Sequence, residues 1–257
     1  MDYLISLSNV ILNNKYDKIE KYTGFDLKIL CESGLFTHIV RFFPPNKTKY
    51  IIENSLSLDC RDSTGWMPIH YISAFGDITT LKYLFNKYKQ NMLQIKTING
   101  YVPLHLALRY HNNPNSIFII QNSNKTDLEI SDNMGWKPIH FALRYCPPKI
   151  VKILLDVGVN IESRTNDNWG PIDIAIRYND VEIIKQLINL GVSLEKKCDG
   201  GWKPIHFAVT YRDEDIVGLL IKSNVNIFSK TDDMKMPYDF ASKYSTPKIM
   251  NLLKYEK

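Results

Sequence analysis

A proline returns six times at nearly constant spacing, at Pro68, Pro103, Pro138, Pro171, Pro204 and Pro237, with intervals of 35, 35, 33, 33 and 33 residues. The words around it return too: Gly65-Trp-Met-Pro-Ile-His70, Gly100-Tyr-Val-Pro-Leu-His105, Gly135-Trp-Lys-Pro-Ile-His140, Asn168-Trp-Gly-Pro-Ile-Asp173, Gly201-Trp-Lys-Pro-Ile-His206 and Met234-Lys-Met-Pro-Tyr-Asp239. A period of this length confines a chain of 257 residues to a stack of similar units, each covering the apolar face of the next.

Each proline marks a helix start, because its missing N–H is one that the first turn leaves unpaired and its φ is preset. Four residues on stand Ala107, Ala142, Ala175, Ala208 and Ala241, in a chain whose only other alanine is Ala74. A methyl-sized side chain placed so consistently predicts close helix-to-helix approach. A second helix is marked by Leu84-Phe85, Ile119-Ile120, Leu154-Leu155, Leu187-Ile188, Leu220-Ile221 and Leu252-Leu253, and the earlier pairs Ile150-Val151, Ile183-Ile184 and Ile216-Val217 complete an apolar stripe. An apolar residue ten before each proline (Leu58, Leu93, Leu128, Ile161, Leu194, Ile227) leads into a Gly- or Asn-rich turn, which predicts a short β-hairpin arm between helix pairs.

This combination of turn, two helices and a P-[IL]-[HD] signature at period 33 resembles the ankyrin repeat family, whose motif is T-P-L-H-x-A. The fold it implies is an all-α solenoid, an ankyrin-like stack of helix pairs joined by short β-hairpin loops. Six repeats are expected over residues 55–257, the last acting as a C-terminal cap with Lys254, Glu256 and Lys257 making it polar. Residues 1–54 lack the motif and are expected to be an N-terminal capping region or a degenerate repeat. The threonine before the proline is replaced throughout, by Met67, Val102, Lys137, Gly170, Lys203 and Met236, so each first helix loses part of the ~1 kcal/mol that such a cap contributes. The family's glycine after the first helix survives only at Gly76. His111, Cys146, Asn179, Arg212 and Ser245 replace it; since other residues tolerate a left-handed φ poorly, slightly altered turns and only moderate stability are expected. Cys146-Pro-Pro148 and Thr246-Pro247 are expected to restart the second helix.

Several function classes fall away. The balance of 32 Lys and Arg against 27 Asp and Glu is mild and scattered, so no nucleic-acid partner is demanded. Four cysteines stand far apart without a C-x-x-C pair, which suggests reduced thiols in an intracellular, cytoplasmic setting. Met1 to Leu12 carries Asp2 where a signal peptide needs basic residues, and no segment reaches a membrane-spanning length. His70, His105, His140 and His206 are one repeat position seen four times, about a helix diameter (~10 Å) apart and too distant to share a metal at ~2 Å bonds. They read as structural hydrogen-bonding groups. Without a phosphate loop, nucleophile elbow or H-E-x-x-H motif, no catalysis and no cofactor are expected.

Two aromatic columns are what the fold does not explain. Two positions before the proline stand Trp66, Tyr101, Trp136, Trp169 and Trp202; seven after it stand Phe75, Tyr110, Tyr145, Tyr178, Tyr211 and Tyr244. Beside the second column run Arg109, Arg144, Arg177 and Lys243, interrupted by Ala74 and Thr210. The family resemblance places these on the hairpins and first-helix ends, the concave side that commonly touches partners, and their composition matches binding hot spots. Stacking of the aromatics on one another along the solenoid is the alternative. The expected function is a non-catalytic protein-interaction scaffold, with Arg144 and Arg177 favouring an acidic protein surface. A nucleic-acid-binding solenoid using the same columns is the second reading. The Ile-, Lys-, Asn- and Tyr-rich wording also resembles ankyrin repeat proteins of giant DNA viruses of amoebae, which would imply action on a host protein inside a host cell.

Overall fold

A computed structural model describes residues 2–88, 90–178, 180–244 and 246–254. Asn179, Ser245, Glu256 and Lys257, and the side chain of Tyr244, lie outside the described residues. The chain divides into two compact units, Met1–Asn133 and Met134–Lys257. Among the described residues there is no strand, and the one isolated bridge pairs Phe25 with Ser55.

The first unit opens with α1 (Asp2–Leu12), α2 (Leu27–Glu32), α3 (Leu35–Phe42) and α4 (Pro45–Glu53). Two repeat pairs follow, α5 (Pro68–Phe75) with α6 (Ile78–Tyr88), and α7 (Pro103–Arg109) with α8 (Asn113–Gln121). First helix packs on first helix and second on second: α5 on α7, α6 on α8. The motif-free α3 and α4 obey the same rule, α3 lying on α5 and α4 on α6. In the second unit the pairs are α9 (Pro138–Tyr145) with α10 (Pro148–Val157), α11 (Pro171–Tyr178) with α12 (Val181–Asn189), α13 (Pro204–Tyr211) with α14 (Glu214–Lys222), and α15 (Pro237–Tyr244) with α16 (Pro247–Leu252). There α9, α11, α13 and α15 stack in order.

Every repeat proline occupies the first residue of its helix, as its preset φ requires. Ala107, Ala142, Ala175, Ala208 and Ala241 have no exposed surface, so the stack closes over methyl groups. Ile150, Val151 and Leu154, with Ile183, Ile184, Leu187, Ile216, Val217 and Leu220, form the buried stripe of the second helices.

The arms between pairs are tight hairpin turns too short for ladders. In the first, the Asp62 N–H donates to Trp66 O at 3.0 Å and the Gly65 N–H to Asp62 O at 3.0 Å. The same two bonds recur at Thr97 and Gly100, Thr165 and Asn168, Cys198 and Gly201, and Thr231 and Met234. Successive turns are tied by one backbone bond each: within the first unit from Ile98 N–H to Thr64 O and from Asn133 N–H to Asn99 O, and within the second from Asn166 to Met134, Asp199 to Asp167 and Asp232 to Gly200. The turn glycines hold φ between 72° and 80° at Gly65, Gly100, Gly135 and Gly201. A Cβ there would also come within 2.7 Å of the next turn's backbone at Gly100 and 2.6 Å at Gly201, so glycine answers both a left-handed φ and a close approach.

The turn after the first helix corrects the expectation of strain. Gly76, Cys146 and Arg212 are extended, with φ of −82°, −111° and −129°, and among the described residues at this position only His111 is left-handed, at 59°. An extended residue carries a side chain at no steric cost, so the missing glycines do not weaken these turns. Pro148 and Pro247 each begin the second helix as expected, and the Thr246 hydroxyl accepts from the Ile249 N–H at 3.4 Å.

Candidate functional site

The histidine column is structural. No side chain caps the helices at Met67, Val102, Lys137 or Lys203. Instead the N–H of each donates to the Nδ1 of the histidine three residues on, at 2.9, 3.1, 3.0 and 3.0 Å. The opposite nitrogen then carries the proton, and Nε2 of His70, His140 and His206 reaches the carbonyls of Ile95, Ser163 and Ser229 at 2.9, 3.3 and 3.1 Å. Each ring thus joins its helix start to the segment entering the next hairpin. Burial pulls His70 down to about 4 and also lowers His206, because a charged imidazole has no water there. Asp173 and Asp239 substitute by accepting from Gly170 and Met236 N–H at 2.8 and 2.7 Å. Asp173 is fully buried and receives Arg164 at 2.8 Å. Desolvation nonetheless pushes its carboxyl up to about 6, against the Gly170 N–H and Arg164.

In three hairpins a polar residue six before the proline aims the aromatic, and the sequence reading missed it. The N–H of Trp66 donates to Asp62 Oδ1 at 2.9 Å, that of Tyr101 to Thr97 Oγ1 at 3.1 Å and that of Trp169 to Thr165 Oγ1 at 3.1 Å. Burial works to raise the Asp62 carboxyl, but bonds from Tyr71, Thr64 and Trp66 outweigh it and hold it low. Also missed was the residue three after the proline, on which the tryptophans rest: Trp66 on Tyr71 at 4.9 Å, Trp136 on Phe141 at 5.6 Å, and Trp169 and Trp202 on either side of Phe207 at 4.9 and 5.0 Å. Both columns were visible as spacings from the proline. Their residue types are ordinary for a turn and a core, so composition did not flag them.

The tryptophans are therefore half-buried, each with one face committed to packing. The second column stands further out: Tyr110, Tyr178 and Tyr211 are 41, 43 and 48% exposed, while Phe75 and Tyr145 are half-buried. In the first unit Trp66, Phe75 and Tyr110 close into one cluster, with Phe75 and Tyr110 at 4.6 Å. Arg41 from α3 lies 4.1 Å over Phe75. Arg109 sits 5.6 Å over Tyr101 and donates to its hydroxyl at 3.1 Å.

The second unit interleaves cation and ring. Arg144 lies 5.5 Å from Trp136, 5.3 Å from Tyr145 and 5.4 Å from Tyr178. Arg177 lies 5.7 Å from Trp169, 5.4 Å from Tyr178 and 4.9 Å from Tyr211. Tyr178 is shared by both. Trp202 stays outside this run, packed on Phe207 and Phe240, and Thr210, at the arginine position, bonds back to His206 O at 2.8 Å. Each contact contributes about 0.5–1 kcal/mol at an exposed site. Their larger effect is to hold the two guanidiniums beside exposed rings. Among the described residues neither arginine pairs with a carboxylate within 4 Å. A cleft of about 200 Å³ opens among Trp136, Arg144, Asp167, Trp169, Arg177 and Tyr178.

Among the described residues no group of three or more His, Cys, Asp or Glu side chains could hold a metal ion, and no helix is long and apolar enough to cross a membrane. Burial raises the thiols of Cys146 and Cys198 to about 12, which leaves them unreactive. No curated protein matches the sequence. A family model described as ankyrin repeats in three copies matches residues 158–231, and a second, described as an ankyrin repeat, matches residues 134–163. Ankyrin repeats generally mediate protein–protein interactions and are typically non-catalytic. Over residues 134–231 the chain is similar to ankyrin repeats, and its stacked helix pairs have the arrangement of an ankyrin repeat solenoid.

Proposed function

We propose that the chain is a non-catalytic scaffold that binds a protein partner on its hairpin and first-helix face. The observation that carries this reading is the pair of guanidiniums, Arg144 and Arg177, held by exposed rings with no carboxylate within 4 Å among the described residues. Rigid aromatic and arginine side chains dominate interface energetics because they lose little entropy on binding. The partner-facing residues are Trp66, Tyr101, Arg109 and Tyr110 in the first unit, and Trp136, Arg144, Tyr145, Trp169, Arg177, Tyr178, Trp202 and Tyr211 in the second. The partner presents an acidic surface, and the resemblance to giant-virus proteins makes a host protein the partner and the host cytoplasm its location. Residues 1–54 and the last repeat act as caps, α3 and α4 continuing the stack beyond the motif.

The reading is tested with a photo-crosslinking residue at Tyr178 and, as a control, at exposed Lys152 on α10. Nuclease-resistant protein adducts are expected from position 178 and lost on adding Arg144→Gln and Arg177→Gln. Equal adducts from both positions would move the interface off this face. Adducts that vanish with nuclease would favour the nucleic-acid reading. Truncating the tryptophans is a poorer probe, since each also fills the core beside Phe141 or Phe207.

A further inference from the structure

We propose that the cleft of the second unit binds an extended polyproline-type segment bearing a carboxylate at every third residue. This rests on the proposed partner face and names its ligand. Arg144 stands one residue before the end of α9 and Arg177 one before the end of α11, and these helices pack directly on each other. Packed helix axes lie about 8–10 Å apart, so the two arginines rise from backbones one helix spacing apart, each with its guanidinium 5.4 Å from the shared Tyr178 ring. A β-strand brings side chains to one face every second residue, at about 6.6 Å, which is too short. Polyproline II brings them to one face every third residue, at about 9.3 Å, which fits.

The rest of the site agrees. Polyproline segments dock in aromatic-lined grooves because the helix is already ordered and has a flat apolar face. Here Trp136, Trp169 and Tyr178 line the cleft between the arginines. At about 200 Å³ it falls below the ~300 Å³ of small-molecule sites and suits side chains of a passing chain. Rings already hold the arginines, which meet carboxylates in the bidentate geometry that arginine favours. Asp167 lines the same cleft and opposes a ligand carboxylate.

The test is fluorescence anisotropy at physiological salt with a labelled peptide of three Glu-Pro-Pro triplets. Comparison ligands are a peptide of the same residues with its glutamates in one block and an oligothymidylate. The triplet peptide is expected to bind about tenfold tighter than the block peptide. Arg144→Gln with Arg177→Gln, checked for folding by circular dichroism, should abolish the difference, and Asp167→Asn should tighten triplet binding severalfold. Equal affinity for triplet and block peptides, or triplet binding that survives the double substitution, overturns the proposal. Absence of peptide binding while Tyr178 adducts persist overturns it and leaves the partner face standing. Tighter binding of the oligothymidylate, lost on the double substitution, overturns both.

Discussion

The two units solve the same packing problem with different precision. In the first, the repeat period is 35 residues and short 3-10 turns, Gln90–Gln94 and Asp127–Glu129, fill the space before the next hairpin. In the second, the period is 33, and the second helices run into left-handed residues at Gly158, Gly191 and Asn224, a compact C-terminal cap. The same contrast runs through the faces. Ala74 stands where an arginine would, and Trp66, Phe75 and Tyr110 collapse onto each other under Arg41. In the second unit Trp136, Tyr145, Trp169, Tyr178 and Tyr211 each meet Arg144 or Arg177. The matched residues, 134–231, fall wholly in the second unit.

The comparison breaks most sharply at the tryptophan supports. Phe207→Ala is expected to cost about 3–5 kcal/mol and to loosen Trp169 and Trp202 together, read by denaturant unfolding with tryptophan fluorescence. Unchanged emission would mean that the rings do not depend on it. Gly100→Ala and Gly201→Ala should each cost about 2–3 kcal/mol, from the left-handed φ and the crowded next turn. Thermal melts of the pair check whether the hairpins of the two units are equally strict.

Acid should act on His70 and Asp173 with opposite sign. His70 falls to about 4 when folded against an ordinary 6.5, so the unfolded chain binds the extra proton and stability is lost as pH drops from 6.5 towards 4. That amounts to about 2 kcal/mol by pH 4.5. Asp173 behaves oppositely: its folded value is raised to about 6, so its contribution is present at low pH and lost as pH rises through 6. Hydrogen exchange at pH 7 and 5 should show protection falling at α5 and rising at α11, although His206 in the second unit works with His70. The smallest effect on stability is expected from Arg177→Gln, about 1 kcal/mol or less, because its three ring contacts share one solvent-exposed charge and do not add. Its thermal melt should be nearly unchanged, and a large loss would mean that the run of rings and cations is a structural element first.

Much of this was legible because the proline fixes a register from which every other position can be counted. Helix starts, buried alanines and the structural histidines follow from that register and from helix chemistry. Half-burial of Trp136, Trp169 and Trp202 follows less directly, since it depends on Phe141, Phe207 and Phe240 beneath them. Arg41 over Phe75 was not legible at all: it comes from α3, outside the motif, and only tertiary packing brings it there. The extended backbone at Cys146 and Arg212 differs from the left-handed turn that the family's glycine implies, a conformation that only His111 adopts among the described residues at this position.

The turn-to-turn bond has a consequence for how such a chain can change length. Each hairpin gives one N–H to the turn before it and one carbonyl to the turn after, as Asp199 with Asp167 and Asp232 with Gly200 show. Excising one whole period removes a donor and an acceptor together and joins ends that already match. Excising any other length leaves a mismatched edge. The protein can therefore lose or duplicate in steps of one repeat, with the stitch along its hairpins acting as the ruler.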